Sequence, residues 1–592
     1  MKQFFKLVLA TMVGFILSYL VIIVIFIVIV FGIVSSVTSE KRLPATRNSV
    51  LELNFDLPVI DRTSQNPFES FDWNTLHANR NPGLNDILKN IKKASTDNNI
   101  RGIFMNLSVI PAGIATIEEI RNALIDFKKS GKFIYTYSES LGQGAYYLST
   151  VSDKVFLNPQ GTLDFRGLRS EMLFFKGSFE KLEIEPQIIR HGKYKSFIEP
   201  FVLDKMSNEN REQMTVLMNT IWKHIIENIS SSRKISVNGL QEICDNIKVR
   251  KPEDAVNLHL VDSLIYMDGM LDVLKNSLGL KGKEKVNFVK LSRYSGSEGV
   301  VEKKKFTRQK IAVIYASGEI NGGDGDEESI GSDRFSETLR KARLDSTIKA
   351  IVLRVNSPGG SALASDIIWR EVFLTRQVKP VIVSMGDVAA SGGYYISCAA
   401  DKIIAQPNTI TGSIGVLGIM FNTKKLLNNK LGITVDTLKT ARMADFGSSS
   451  RPLTEAEKVI MQQYVENVYE VFLSRVAEGR KMSRDAIDSI GQGRVWTGTD
   501  AKQIGLVDEI GGIKEAVSLA AKLAKTSDYK ILELPDQKEP IKEILEELTG
   551  DARISFMRGQ LGEESYRYYK QFQSLLHYQG IQARMPFSIE VY

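Results

Sequence analysis

The chain has only two cysteines in 592 residues, Cys244 and Cys398, which could close one bridge at most, so a disulfide framework is excluded. Cys398 lies inside an apolar run and reads as a buried core thiol. Histidine is also scarce. His77, His191, His224, His259 and His577 form no HExxH and join no CxxC, so no protein metal site is expected. The net charge of +7 is small for this length, and no dense basic stripe carries interleaved aromatics, which argues against a nucleic-acid partner. A second apolar run of membrane-spanning length is missing too, so whatever follows the first run lies on one side of a bilayer.

That first run covers residues 7–34 and holds no charged side chain. As a helix it would extend roughly 42 Å, more than the ~30 Å hydrocarbon core, and could cross with tilt. A cleaved signal peptide has an apolar core of only about 7–15 residues, and Ser35-Ser36 makes a poor cleavage site, so the segment reads as an uncleaved anchor with flanks over 1–44. Lys2 and Lys6 precede it and Lys41, Arg42 and Arg47 follow it, a balance that does not set its orientation.

The remainder is organised by an internal repeat. IRGIFMNL (100–107) parallels IKAIVLRV (348–355), and AYYLSTVSDKVFLNP (145–159) parallels GYYISCAADKIIAQP (393–407). Residues 207–236 parallel 454–483, and DAVNLHLVD (254–262) parallels DAKQIGLVD (500–508). The offset stays between 246 and 248, a register that chance similarity does not hold. Apolar runs at 311–315, 348–355 and 381–384 read as buried strands alternating with amphipathic helices, which predicts an α/β architecture in each half. Thr454 and Glu457 form a capping box opening a long helix. The domains are therefore read as 45–280 and 310–534. A basic, solvated linker is read over 281–309 and a packed extension over 535–592. The acidic stretch 321–328 lacks a calcium-loop pattern and reads as a mobile loop.

The chemistry concentrates in the second half. Strand 348–355 runs into NSPGGS (356–361), and strand 381–384 leads through GDVAASGGYY (386–395). Ser391 sits at the start of a predicted helix, followed by two glycines. A helix N-terminus offers unpaired amides, so an oxyanion site beside Ser391 could use Gly392 and an amide of the Gly359-Gly360 turn. Ser391 could equally be a helix cap. A serine nucleophile needs a base, and the second half places no histidine near it; the first half offers His191, Lys193 and Lys195 in RHGKYKSFIEPF (190–201). Aromatic and aliphatic neighbours around Lys195 suit partial burial, which lowers a lysine pKa.

NSPGGS, AASGGYY, TGSIGVLG (411–418), YKSFIEPF and GIQARMPF (580–587) together resemble the long, double-repeat form of signal peptide peptidase A, and the likeness covers nearly the whole chain. NSPGG alone also resembles the Clp protease proteolytic subunit. The resemblance implies a tandem pair of crotonase/Clp-like α/β domains behind one transmembrane helix. It also implies a membrane-anchored serine endopeptidase with a Ser391 nucleophile and a Lys195 general base, with Ser413 supporting the lysine and no cofactor. It further implies cleaved signal peptides as substrates, a homotetramer, and a body on the periplasmic side of the cytoplasmic membrane. Aligning the repeats sets Gln143 opposite Ser391 and Ala444 near the position of Lys195, so each half keeps one member of the pair. Two further readings stand beside this one: a serine–histidine peptidase using His191, and a non-catalytic membrane-tethered scaffold.

Overall fold

The computed structural model describes residues 45–64, 83–294, 307–537 and 580–585, with 71–72, 77–78 and scattered positions between 3 and 25. The anchor read over 7–34 falls for the most part outside the described residues, and among those described no helix is long and apolar enough to cross a membrane.

Each half builds its own twisted sheet. In the first, strands Ser263–Leu264, Lys154–Leu163, Phe133–Leu141, Ile100–Asn106, Ser49–Leu53 and Asn287–Lys290 lie side by side and are all parallel. In the second, Lys530–Leu534, Lys310–Ser317, Ile348–Ser357, Val381–Ala390 and Ile410–Gly412 are parallel, and Val495–Thr497 closes the row antiparallel. Parallel strands buried on both faces read as continuous apolar runs, which is why alternate residues of Lys310–Ser317 feed two cores. Ala312, Ile314 and Ala316 pack into the larger one, while Ile311, Val313 and Tyr315 pack against helix Ile513–Leu523.

The repeat extends to individual hydrogen bonds. Tyr146 donates to the Leu260 carbonyl at 3.0 Å and Tyr394 to the Leu506 carbonyl at 2.9 Å. Each half has one 26-residue helix, Asn208–Arg233 and Glu455–Arg480. Arg233 near the end of the first binds the His259 carbonyl and Asp262; Arg480 at the end of the second binds the Gly505 carbonyl and Asp508. The Thr454–Glu457 capping box is present. One boundary moves. The stretch read as linker from residue 281 still carries strand Asn287–Lys290 and helix Leu291–Tyr294, because Phe288 and Val289 point to opposite faces of the sheet edge beside Ser49–Leu53 and each meets an apolar cluster. Tyr294 is buried and donates to Asp97 at 3.0 Å.

A third sheet joins the halves. Its order is Ser329–Gly331, Glu319–Asn321, Gly359–Ser361, Gly580–Arg584, Val416–Asn422 and Glu185–His191. The first repeat contributes the last strand, antiparallel to Val416–Asn422 over seven residue pairs from Val416↔His191 to Asn422↔Glu185. The extension contributes Gly580–Arg584, which lies between two strands of the second repeat. The acidic stretch 321–328 is thus bracketed by two paired strands.

Buried charge also crosses between the halves. Arg354, fully buried on strand Ile348–Ser357, binds Asp61 (2.7 Å) and Glu119 (2.6 Å), both from the first half. Burial opposes the charge on Arg354, but Glu119 and Asp61 outweigh it and raise its pKa. Asp61 also accepts from Asn356 Nδ2 at 2.7 Å, and Asn356 Oδ1 accepts from the Val388 amide at 3.1 Å. Asp387, whose carboxyl is pushed up by burial, accepts from the Thr116 amide and hydroxyl.

Candidate active site

Ser391 closes strand Val381–Ala390 and precedes helix Gly392–Ser397. Its backbone is held at φ 56°, ψ −114°, a strained conformation for a residue with a side chain and one found where a structure over-determines a reactive group. The Ser391 amide donates to the Gly412 carbonyl at 2.8 Å and its carbonyl accepts from Tyr395 at 2.8 Å, so both ends are fixed. The hydroxyl makes no capping bond to the helix. It lies 2.9 Å from Lys195 Nζ, in hydrogen-bond contact across 196 residues of sequence.

Lys195 reaches this point because strand Glu185–His191 runs along Val416–Asn422 and delivers the next turn beside Gly412 and Ser413. Its Nζ donates to Ser413 Oγ at 3.1 Å and to the Ser413 carbonyl at 3.3 Å. Both Lys195 and Ser391 are completely buried. Burial alone lowers the Lys195 pKa from 10.5 to about 7, with no charged neighbour contributing. The segment is clamped by the turn after Ile490. Tyr194 donates its amide to the Gln492 carbonyl at 2.9 Å, and Gly493, at φ 81°, packs so closely on Lys195 that a Cβ there would lie 2.7 Å from the lysine backbone.

The glycines divide their roles. A Cβ on Gly392 would lie 3.1 Å from Gly359 Cα, and one on Gly393 would lie 2.7 Å from the Ser357 carbonyl, so the helix start and the NSPGGS turn are in direct contact. Gly359 faces Gly392 at Ser391. Gly360 is taken up by the third sheet, paired with Ile320 on one side and Ala583 on the other. His191 is turned away, its ring stacked on Tyr469 at 4.1 Å.

The extension completes the site in a way local sequence patterns do not signal. Gly359–Ser361 pairs with Arg584, Ala583 and Gln582, and the Met585 amide donates to the Pro358 carbonyl at 2.8 Å. Met585 is buried in the same cluster as Ala390, Ile410 and Val495.

A model of peptidase family S49 matches residues 126–281 and 374–527, one match in each repeat. Protease 4 of Salmonella typhi is 37% identical over 479 residues, which cover 79% of this chain and 76% of that protein. Protease 4 of Haemophilus influenzae is 36% identical over 515 residues, covering 84% and 83%. The chloroplastic serine protease SPPA of Arabidopsis thaliana is 34% identical over 488 residues, covering 80% and 71%. Among solved structures, a ClpP1 variant from Listeria monocytogenes aligns at 20% identity over 35% of this chain and 94% of its own, with a TM-score of 0.24, too low to bear on the fold. Two family matches in one register, on two halves that share strand order, long helix and several equivalent hydrogen bonds, make this chain a serine peptidase of family S49, of the signal peptide peptidase A type in its double-repeat form.

Proposed function

We propose that Ser391 is the nucleophile and Lys195 the general base of a membrane-anchored endopeptidase that degrades cleaved signal peptides and other membrane-derived peptides. The observation that carries this is the 2.9 Å contact between Lys195 Nζ and Ser391 Oγ in a site where the lysine is fully buried. A lysine with a pKa of about 7 is substantially neutral at physiological pH. Its N–H bonds are directed at Ser413 Oγ and the Ser413 carbonyl, which leaves the lone pair free for the Ser391 proton.

Ser391 Oγ attacks the scissile carbonyl carbon as its proton passes to Lys195 Nζ. The oxyanion is met by the amide of Gly392 and by that of Gly359, which in the resting site donates to Ser357 Oγ at 3.2 Å and must exchange that bond; such a donor is worth roughly 3 kcal/mol. The resulting ammonium returns its proton to the leaving amine, giving the acyl-enzyme. Lys195 then takes a proton from water, hydroxide equivalent adds to the ester, and Ser391 leaves with that proton.

The substrate class rests on the family likeness, since a signal-peptide core is apolar. The uncharged run over 7–34 supports anchoring in the cytoplasmic membrane, and the resemblance supports a periplasmic body assembled as a homotetramer.

Replacing Ser391 or Lys195 by Ala should abolish hydrolysis of an apolar peptide while circular dichroism stays unchanged; His191→Ala should keep most of the rate. Activity should rise with pH through about 7. Full activity in Lys195→Ala would overturn the assignment of the base. Protease digestion of spheroplasts tests the placement, since a body protected until lysis would contradict it.

A further inference from the structure

Lys195 is held by backbone on both sides, and one side chain reaches both. Gln213, buried on helix Asn208–Arg233, donates through Nε2 to the Tyr194 carbonyl at 3.1 Å and to Ser196 Oγ at 3.0 Å. A third acceptor, Asn210 Oδ1, lies 3.2 Å away. Its Oε1 accepts from the Val495 amide at 3.3 Å. Val495 pairs with Gly412, whose carbonyl receives the Ser391 amide, and the preceding Arg494 carbonyl receives the Ser413 amide at 2.7 Å. One carboxamide therefore connects the residues flanking the lysine with strand Val495–Thr497, which pairs with the strand that holds the serine backbone.

We infer that Gln213 is a positioning residue for the Ser391–Lys195 pair, fixing the lysine turn of the first repeat against the serine-bearing sheet of the second. The inference rests on the catalytic reading above. The second repeat supplies a contrast. Its equivalent helix has Ile460 where the first has Gln213, and no lysine turn to hold. A glutamine suits the task because it supplies a donor and an acceptor on one short arm, and because a carboxamide adds no charge beside a lysine that must stay neutral.

Several charged groups around the turn are held by charged or neutral polar partners. Glu212 holds Arg494 (3.1 Å), Glu199 accepts from Ser207 and Asn210, Asp488 accepts from Tyr469 beneath His191, and Arg584 pairs with Glu319. Among the described residues, the hydrogen-bond partners of Lys195 Nζ are Ser391 and Ser413 alone.

The test is the pH dependence of labelling of full-length protein by a fluorophosphonate, which reports serine activation without a known substrate. In wild type the labelling rate should climb through about pH 7. Gln213→Leu frees the turn and admits water to Lys195, so labelling at pH 7 should fall at least about 10-fold and recover to within about 3-fold by pH 9.5. Gln213→Glu keeps the size and the acceptor but adds a negative charge, and should move the rise upward by at least about one pH unit. If Gln213→Leu does not fold, as judged by circular dichroism, Gln213→Glu decides alone. A rise that stays at its wild-type pH in Gln213→Glu overturns the inference, as does a loss in Gln213→Leu that is uniform across pH. Lys195→Ala separates the two levels: unchanged labelling there would refute the lysine base itself, whatever Gln213 does.

Discussion

The two repeats share a scaffold and differ where it matters chemically. Ser391 corresponds to Gln143, whose Oε1 accepts from the Arg166 and Gly167 amides and whose Nε2 donates to the Gly167 carbonyl. Ser413 corresponds to Phe165, which packs against Tyr146 and Trp222. The first repeat has thus filled its own site with a structural amide and an aromatic ring. Conversely, the part of the second repeat that would match strand Glu185–His191, within residues 431–440, is exposed and forms no strand, and exposed Ala444 falls near the position of Lys195. If one half supplies the base to the other, as proposed, the duplicate of each function is free to drift while the backbone that presents it is not. Tyr146 and Tyr394 still make the same bond.

Substitutions at equivalent positions sharpen this contrast. The largest effect belongs to the site pair. Ser391→Ala should lower peptide hydrolysis by at least about 10⁴-fold, whereas Gln143→Ala should leave the rate within about twofold, at a stability loss of about 1–3 kcal/mol from the stranded Arg166 and Gly167 amides. Comparable rates in the two variants would erase the division of labour. Next comes the charge between the halves. Strand position 354 is Arg in the second repeat and Asn106 in the first, so only the second needs carboxylates from its neighbour. Asp61→Ala leaves Arg354 buried with one fewer partner and should cost about 3–5 kcal/mol in denaturant unfolding. A loss below about 1 kcal/mol would mean that the halves do not depend on this contact.

Lys195→Met should run the other way. Below pH 7 the lysine is charged whether folded or not, and its burial penalty is complete. Between about 7 and 10.5 the folded lysine is neutral while the unfolded one is still charged, so raising the pH relieves the penalty. The methionine variant should therefore be inactive yet more stable by about 2–3 kcal/mol at pH 7, with the gap closing as the pH approaches 10.5. A gap independent of pH would show that Lys195 is not the group that titrates. Smallest is the matched pair Tyr146→Phe and Tyr394→Phe. Each loses one buried hydroxyl bond and should cost about 1 kcal/mol, the two within experimental error of each other; a large difference would limit the repeat to its backbone.

Much of this was legible in one sequence because the duplication prints its own alignment. The offset of 246–248 aligns the matching strands and long helices, and the absence of a histidine beside Ser391 in its own half points to the other half for a base. Local chemistry left His191, Lys193 and Lys195 open, and choosing among them needs the strand register that turns His191 onto Tyr469 and delivers Lys195 to Ser391. The Arg354 contacts carry a signal in the sequence: an arginine inside the apolar strand IKAIVLRV must find a carboxylate. Its partners Asp61 and Glu119 lie more than 200 residues earlier, beyond any local pattern. The insertion of Gly580–Arg584 into the third sheet is a long-range pairing of a short segment, and its one sequence trace was the family-like GIQARMPF.

The lowered pKa of Lys195 has burial as its only cause. Where a neighbouring cation depresses a lysine, dissolved salt weakens the effect, since charges separated by more than about 8 Å are screened at physiological ionic strength. Dryness has no counterion to attract. The base strength of this site should therefore hold from dilute buffer to molar salt, and give way instead to whatever hydrates the pocket, such as hydrostatic pressure or urea below the unfolding midpoint. With Lys195 as the proposed base, reactivity would follow how tightly the two halves exclude water from one amine, and a loosened seam between them should silence the enzyme before either half unfolds.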